Sequence, residues 1–222
     1  LERLFVSPVG DAKFPDLIDQ VLAAGVEVVG VDDRVISGLS DTRTPQGLVG
    51  VARMPAPISN LWSSRPQLVI GLEQPQDPGN VGVVVRTADA AGADAVLLGP
   101  GSADPFGPKS VRASAGSVFR VPVFRVEDML SELSAAQSNG LAVRGTAADG
   151  GVTLFSTDEI DLASPTLWLL GNEAHGLSEL IKQECDQVVS IPMFGGAESL
   201  NVGIAAAICL YASAAAQYDR VI

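Results

Sequence analysis

Residues 68–99 read LVIGLEQPQDPGNVGVVVRTADAAGADAVLLG, and this stretch indicates the fold class of the main domain. It opens and closes on apolar runs, residues 68–73 and 94–99, which predict two strands. Between them, a turn at Asp77-Pro-Gly precedes Val- and Ala-rich sequence that predicts a helix over residues 80–91. Apolar strands that alternate with helices are typical of a parallel sheet covered on both faces.

The same alternation continues towards the end of the chain. After residue 100 the sequence predicts a strand at VPVF, a helix over residues 127–138, strands at LAVRG and TLWLLG, and a long apolar helix after residue 200. We therefore expect an α/β domain with a parallel sheet and helices on both faces.

A smaller α/β unit precedes this domain. Strands are predicted at LFVSP, at residues 26–31 and at residues 47–52, with an amphipathic helix over residues 14–24. The stretch MPAPISNLWSSRP that follows holds three prolines and breaks regular structure. We place the first domain at residues 1–57, a linker at 58–66 and the main domain at 67–222.

The composition favours a compact globular protein. Hydrophobic residues make up 47% of the chain and charged residues 18%, which disfavours a disordered chain. The net charge of −12 argues against nonspecific coating of nucleic acid, because phosphate contacts need Lys and Arg. Residues 86–125 nevertheless hold five basic residues against three acidic ones, so a local RNA contact is expected there.

Several features bear on the compartment. Cys185 and Cys209 lack metal-ligand neighbours and are predicted as small buried residues in a reducing compartment. The opening LERLFVSP shows no signal peptide and no initiator Met, so we expect a cytoplasmic protein whose start is truncated. Residues 200–218 carry no charge, but their apolar content is mostly Ala, which favours a buried helix over a membrane span.

Three separated motifs could carry chemistry, and the first lies in the stretch quoted above. Asn80 is expected to cap the predicted helix, and Arg86 follows six residues later on a helix that is apolar nearly all round. Because burying an unpaired charge in an apolar core is costly, the guanidinium is expected to bind an anion or to lie in a cleft. A plain cap and a surface arginine would explain the same two residues.

The other two motifs follow predicted strands. Residues 166–178, TLWLLGNEAHGLS, run from an apolar strand into a glycine-flanked loop whose acid–base side chains are Glu173 and His175. Residues 189–201, VSIPMFGGAESLN, end a strand, pass two glycines and put Ser199 and Asn201 at the start of the long helix. Ligands collect at such strand ends in parallel sheets, although each motif alone also fits an ordinary turn or cap.

Together, the three motifs resemble the SpoU (TrmH) family of SPOUT RNA methyltransferases. The matching positions, in the family's order and spacing, are Asp77-Pro-Gly-Asn80 through Arg86, Gly171-Asn-Glu173, Ile191-Pro-Met and Glu198-Ser-Leu-Asn201. The stretch from Lys109 to Gly116 also looks like the family's basic loop. Residues 4–57 are similar to the later part of the L30e-like RNA-binding domain that precedes many members.

This resemblance implies a deep trefoil knot in the main domain, a homodimer, and S-adenosylmethionine (AdoMet) as the cofactor, with no metal and no membrane. It places the cofactor against the backbone around Gly171, Ile191 and Leu200, with Leu169, Asn172 and Met193 beside it. It assigns the catalytic centre to Asn80, Arg86, Glu173, Ser199 and Asn201. RNA contacts are expected from Arg86, Lys109, Arg112, Ser114 and Arg120, and from Arg43 in the first domain.

The implied reaction is attack of an RNA ribose 2′-hydroxyl on the cofactor's methyl group, with 23S ribosomal RNA favoured as the substrate. Arg86 is the family's proposed base, but a guanidinium stays protonated near neutral pH. We therefore expect Arg86 to bind the target phosphate and to stabilise the developing alkoxide. One departure is Ala174, where many relatives have Gly, and this change bears on RNA specificity.

Other functions stay open from the sequence alone. A tRNA 2′-O-methyltransferase and a noncatalytic RNA-binding assembly factor would share the same fold. A nucleotide-binding enzyme of dehydrogenase type is a third hypothesis, although no G-x-G-x-x-G follows the first strand of the main domain.

Overall fold

The structure of the protein is a computed structural model, and it describes residues 1–55, 61–156, 158–172 and 174–219. The chain divides into two compact units, Leu1–Pro55 and Ala56–Ile222, each with its own sheet. All three motifs belong to the larger unit.

The N-terminal unit is a small sheet with short helices. Its elements are β1 (Arg3–Val6), α1 (Pro8–Lys13), α2 (Pro15–Ala23), β2 (Glu27–Gly30), α3 (Asp33–Leu39) and β3 (Leu48–Val51). β1 lies in the middle, parallel to β2 and antiparallel to β3. Helices α1 and α3 are not predicted from the sequence, because six and seven residues are too few to show a periodic apolar face.

The C-terminal unit alternates strands and helices along its length. Its strands are β4 (Leu68–Leu72), β5 (Ala95–Leu98), β6 (Val123–Arg125), β7 (Ala142–Thr146), β8 (Val152–Thr153), β9 (Thr166–Leu170) and β10 (Gln187–Ser190). Its helices are α4 (Pro78–Ala91), α5 (Pro108–Ala113), α6 (Met129–Ser138), α7 (Glu179–Glu184) and α8 (Val202–Asp219), with 3-10 turns at Trp62–Ser64 and Ser117–Phe119. The strand β8 and the helix α5, both short, are the elements that the sequence pattern does not predict.

The seven strands of this unit run parallel, in the order β6-β5-β4-β9-β7-β10-β8. The parallel sheet predicted from continuous apolar strands is confirmed. β9 pairs with both β4 and β7, and β10 pairs with both β7 and β8, so late strands are inserted between earlier ones. Because all the strands are parallel, the carboxyl ends of β4, β9 and β10, where the three motifs begin, lie at the same edge of the sheet. The trefoil knot stays a prediction.

Helices cover both faces of this sheet, as predicted. On one face, residues of α4 and α8 form a core with Ile70 and Leu170. On the other face, residues of α6 and α7 form a core with Val69 and Leu169. Because successive side chains of a strand point to opposite faces, chain neighbours such as Leu169 and Leu170 belong to different cores.

Side-chain caps define the starts of α4 and α7, with one correction to the sequence prediction. α4 begins at Pro78, and its cap is Asp77, whose carboxylate accepts from the N–H of Gly79 at 2.6 Å. The prediction that Asn80 caps this helix is wrong, because proline suits the first helical position and moves the cap upstream. Ser178 caps α7, and its hydroxyl oxygen accepts from the N–H of Ile181 at 3.5 Å.

The long helix α8 is the apolar C-terminal helix that the sequence predicts. Its residue Cys209 is fully buried, and this burial raises the pKa of the thiol to about 12. Cys185 is only partly buried, and desolvation raises the pKa of its thiol to about 11. Among the described helices, none combines the length and the apolarity that crossing a bilayer requires.

Candidate active site

A cavity of about 750 Å³ opens at the carboxyl edge of the seven-stranded sheet. Its wall includes residues 146–148 at the end of β7, residues 170–172 at the end of β9, residues 189–193 at the end of β10 and residues 198–202 at the start of α8. Ligand sites in proteins measure about 300–1,000 Å³ and favour the strand ends of parallel sheets. The cavity therefore has the size and the position of a small-molecule site.

Most residues predicted to hold a cofactor line this cavity, namely Gly171, Asn172, Ile191, Met193 and Leu200. Leu169 does not line it, because its side chain is fully buried in the core on the opposite face of the sheet. Leu170 lines the cavity instead, because successive side chains of a strand point to opposite faces and the side chain of Leu170 faces α8. Leu169 contributes only backbone nearby, where its carbonyl accepts from Oγ1 of Thr146 at 3.2 Å.

The loop between β9 and α7 is folded too tightly for a side chain at its first position. A Cβ on Gly171 would lie 2.0 Å from the carbonyl carbon of Gly176 and 2.1 Å from the amide nitrogen of Leu177. Gly176 has a φ of +69°, in the left-handed region that favours glycine. Asn172 and Gly176 exchange two backbone hydrogen bonds, of 3.1 and 2.8 Å. Glycine at both ends therefore lets the chain turn back on itself beside the cavity.

Polar contacts fasten this loop to the end of β4. The side-chain amide of Asn172 donates to the carbonyl of Gln74 at 2.9 Å. The carboxylate of Glu73 accepts from the N–H of Ser178 at 2.8 Å. Sequence reasoning missed Glu73, and the available signal was a carboxylate directly after a buried strand at the edge where the motifs meet.

The first and third motifs meet through a direct hydrogen bond. Nδ2 of Asn201 donates to Oδ1 of Asn80 at 3.1 Å, across 121 residues of sequence. Oδ1 of Asn201 accepts from the N–H of Gly203 at 2.9 Å, so this amide also caps α8. Asn201 and Ser199 line the cavity. The structure thus brings together three of the predicted catalytic residues, whereas Glu173 lies outside the residues that the structure describes.

Arg86 is exposed on α4 and does not line the cavity. The expectation that it finds an anion or a cleft stays a prediction, since it forms no hydrogen bond or ion pair with the described residues. The helix α4 buries Val84 and Ala88 and leaves the side with Arg86 open. One turn before and after it, Gly82 and Asp89 contact the segment that follows β5, so Arg86 lies on the side of α4 nearest that segment.

Two ion pairs hold the basic segment, residues 107–120, on α4. Nζ of Lys109 lies 2.7 Å from Oδ1 of Asp77, and the guanidinium of Arg120 pairs with Asp89. Hydrogen bonding to Lys109 lowers the pKa of Asp77, and hydrogen bonding to Arg120 lowers the pKa of Asp89. The side chains of Lys109 and Arg120 remain 59% and 60% exposed, so a phosphate can still reach both cations.

The other predicted RNA contacts are placed differently. Ser114 is buried and its hydroxyl donates to the carbonyl of Val111 at 2.8 Å, so its side chain does not reach the surface that RNA would touch. Arg112 is exposed on α5, and Arg43 is exposed in the N-terminal unit. No cluster of His, Cys, Asp and Glu among the described residues could hold a metal ion.

The fold and the cavity define a parallel α/β protein whose candidate ligand site is formed by loops from one edge of the sheet. Residues 67–211 match the model of the SpoU rRNA Methylase family. The chain belongs to this family.

Relatives and solved structures match most of the chain. The 23S rRNA (guanosine(2553)-2′-O)-methyltransferase RlmP of Bacillus subtilis is 37% identical over 190 residues, which are 86% of this chain and 73% of that protein. The AdoMet-bound rRNA methyltransferase of Sinorhizobium meliloti has a TM-score of 0.78 at 32% identity, over 96% of this chain and 78% of that one. The SpoU methyltransferase AviRb of Streptomyces viridochromogenes, in complex with AdoMet, has a TM-score of 0.82 at 31% identity, over 100% and 83% of the two chains.

Proposed function

We propose that this protein is an AdoMet-dependent methyltransferase that methylates a ribose 2′-hydroxyl in 23S ribosomal RNA. Membership of the SpoU family, the likeness to RlmP and the likeness to two AdoMet-containing structures support this function. The observation that carries it is the cavity, where the loops after β9 and β10 meet the start of α8, and where Asn201 bonds to Asn80 of the first motif.

The cavity suits AdoMet in size and in chemistry. Its wall combines apolar side chains, among them Leu170, Ile191 and Val202, with glycine backbone at Gly171 and Gly176. Such a mixture can hold an adenine ring by apolar contact and a polar amino-acid end by hydrogen bonds. When bound there, AdoMet supplies a methyl group that its sulfonium charge activates for transfer.

Ser199 and Asn201 are proposed to orient the RNA ribose. Both line the cavity at the start of α8, and the Asn201 amide is fixed by Asn80 on one side and by Gly203 on the other. A hydroxyl and a fixed amide can bind a sugar hydroxyl and hold its oxygen in line for attack. Alignment of this kind is a large part of the catalysis of group transfer between two bound molecules.

Arg86 is proposed to bind the phosphate beside the target ribose and to stabilise the alkoxide that develops as the hydroxyl proton leaves. Its guanidinium has no partner among the described residues and lies on the side of α4 to which Lys109 and Arg120 are fastened. A permanently charged group can act in this way without giving up a proton. Glu173 completes the proposed centre on the strength of the family motif.

We also propose the role of the N-terminal unit and the state of assembly. Residues 1–57 act as an L30e-like domain that binds substrate RNA, with Arg43 among its contacts, joined by residues 58–66 to the methyltransferase domain. The protein is a homodimer that buries an apolar stripe of α8. Ile204, Tyr211 and Tyr218 follow each other at intervals of seven residues and are 53%, 52% and 67% exposed.

Transfer of a radioactive methyl group from AdoMet to RNA tests the proposed function. Unmodified 23S rRNA, 16S rRNA and tRNA are offered separately to the protein, and the methylated nucleotide is mapped. We expect 2′-O-methylation of 23S rRNA. A radioactive methyl group in tRNA would identify tRNA, and not 23S rRNA, as the substrate. Absence of transfer by a protein that binds AdoMet would indicate the noncatalytic RNA-binding alternative.

The role of Arg86 is tested in the same assay. Arg86→Ala is expected to lower kcat by about a hundredfold with cofactor affinity unchanged, because a developing charge loses its stabilising group. The matched control is Arg65→Ala, which removes an exposed arginine that precedes β4, at the edge of the sheet opposite the cavity. Turnover of Arg86→Lys that stays near full and constant between pH 7 and 9 would support charge stabilisation, because a lysine base would become faster as the pH approaches its pKa of about 10.4. Unchanged kcat of Arg86→Ala would contradict both roles.

A further inference from the structure

Phe194 is the most exposed of the large hydrophobic side chains that the structure describes, with 91% of its surface open to solvent. Phenylalanine is among the residues most often buried in proteins, so an almost fully exposed ring is unusual. It follows Met193 directly, and Met193 belongs to the wall of the cavity. The ring therefore stands beside the proposed cofactor site and is not part of the core.

The loop around Phe194 leaves and rejoins the cavity wall. Residues 189–193 line the cavity, Phe194 does not, and the chain returns to the wall at Glu198. A Cβ on Gly195 or on Gly196 would meet nothing within 4 Å, so packing does not require glycine at either position. Because glycine can adopt more backbone conformations than other residues, Gly195 and Gly196 let the loop adjust the position of the ring when a ligand binds.

We propose that Phe194 stacks on the base of the RNA nucleotide whose ribose is methylated. This inference rests on the proposed function. The base is attached to the sugar carbon next to the one that carries the 2′-hydroxyl. When that hydroxyl points into the cavity at Ser199 and Asn201, the base must therefore lie at the rim of the cavity. Unpaired RNA bases are commonly bound by stacking on aromatic side chains.

This contact recognises the face of the base and not its hydrogen-bonding edge. Every base has a π-face, so stacking on Phe194 tolerates any base at the target position. The ring would hold a nucleotide that has been turned out of a loop or a helix end, and sequence choice would come from other contacts. Phe194 is thus a substrate-binding residue with a role separate from those of Ser199 and Asn201.

Substitutions of Phe194 test the proposal in the protein otherwise unchanged. The measurements are kcat and KM for unmodified 23S rRNA, the affinity for S-adenosylhomocysteine by calorimetry, and the sedimentation coefficient. Phe194→Ala is expected to raise the RNA KM by about ten- to a hundredfold, and Phe194→Trp to stay within about threefold of the unsubstituted protein. Phe194→Leu, which keeps apolar area but loses the π-face, is expected to resemble Phe194→Ala.

The matched control is Leu180→Ala, because Leu180 is also apolar and 66% exposed but lies on α7, which packs on the opposite face of the sheet from α8. Its RNA KM is expected to be unchanged. An unchanged KM in Phe194→Ala overturns the proposal. A weaker affinity for S-adenosylhomocysteine that accounts for the loss would make the ring a cover of the cofactor, and a changed sedimentation coefficient would make it a contact between copies; either result also overturns it.

A second measurement isolates the contact with the base. Once the methylated nucleotide is mapped, an RNA fragment that lacks only that base and keeps the ribose is compared with the intact fragment. Phe194→Ala is expected to raise KM for the intact fragment and to leave KM for the abasic fragment unchanged, whereas equal effects on both would reject stacking. If the unsubstituted protein methylates no RNA, the proposed function fails, and this outcome is distinct from an active enzyme that is indifferent to Phe194.

Discussion

Gly171 shows how a missing side chain shapes the proposed cofactor cavity. A methyl group at this position would lie 2.0 Å from the carbonyl carbon of Gly176 and 2.1 Å from the nitrogen of Leu177, and backbone atoms cannot turn away as a flexible side chain can. We expect Gly171→Ala to destabilise the protein by about 1–3 kcal/mol and to weaken AdoMet binding by at least about tenfold. Thermal unfolding and calorimetry measure the two effects.

Gly196→Ala is the control for this substitution, because a Cβ at Gly196 would meet nothing within 4 Å. The added methyl group should leave both the unfolding temperature and the affinity for AdoMet close to their original values. Equal losses in the two variants would mean that steric closeness at Gly171 does not shape the site.

At the scale of residues, the sequence predicts which residue types form the site better than it predicts the directions of their side chains. Ser199, Asn201 and Asn80 could be grouped because their motifs start at strand ends and helix starts. The bond between Asn80 and Asn201 could not be predicted, since it spans 121 residues and depends on how two helices pack. Leu169 was placed wrongly because a step of one residue along a strand exchanges one face of the sheet for the other.

At the scale of elements, the loop between β9 and α7 depends on the amide of Asn172. This side chain donates to the carbonyl of Gln74 and accepts from the N–H of Ala174. Asn172→Ala removes both bonds, so we expect a loss of about 1–3 kcal/mol of stability and an AdoMet affinity lower by about five- to tenfold. Chemical denaturation and calorimetry give the two quantities.

Asn139→Ala provides the comparison for the loop prediction. Asn139 also uses its amide to hold backbone, donating to the carbonyl of Ala135 at 2.8 Å, but it does so at the end of α6 and does not line the cavity. Its removal should lower stability slightly and leave AdoMet affinity unchanged. A similar loss of affinity in both variants would show that general destabilisation, not the loop, is responsible.

The docking of the basic segment on α4 should depend on pH. The folded pKa values of Asp77 and Asp89 are lowered by Lys109 and Arg120, so their contribution to stability is present above the ordinary aspartate pKa of about 3.9 and is lost as the pH falls through the lowered values. We expect the unfolding temperature to fall below about pH 4, and Asp89→Asn to make this fall shallower. Thermal unfolding from neutral to acid pH measures the effect.

Asp19→Asn is the matched substitution for this pH dependence. Asp19 lies on α2 of the N-terminal unit and forms no hydrogen bond or ion pair with the described residues. Its replacement should leave the acid-dependent fall in unfolding temperature as steep as before. If Asp89→Asn is equally without effect, the ion pair with Arg120 does not hold the basic segment.

At the scale of the whole molecule, the proposed dimer depends on the exposed apolar stripe of α8. Ile204 is 53% exposed in the single chain, and a charge at this position would be buried without a partner in the proposed dimer. We expect the protein to sediment as a dimer of its 22.9 kDa chain and Ile204→Glu to sediment as a monomer. Leu180→Glu, at an exposed apolar position on α7, should remain dimeric, and a monomeric protein without any substitution would contradict the proposal.

The order of the strands is a further part of the fold that the sequence does not predict. Continuous apolar runs indicate parallel strands covered on both faces, and they are present. Periodicity holds no information on which strands pair, so the insertion of β9 between β4 and β7 could not be foreseen. This insertion decides the site, because it brings the loop with Gly171 next to the end of β4, more than ninety residues earlier in the chain.

The late position of α8 has a consequence for synthesis on the ribosome. Residues 198–202 and Ala205 form part of the cavity wall, and Asn201 completes the contact with Asn80. A polypeptide whose translation stops before this helix can form much of the sheet, but its cavity for the methyl donor lacks part of its wall. Ribosomal RNA would then be methylated only by copies of the enzyme in which α8 has been translated, so that shorter fragments neither sequester the donor nor leave stray modifications.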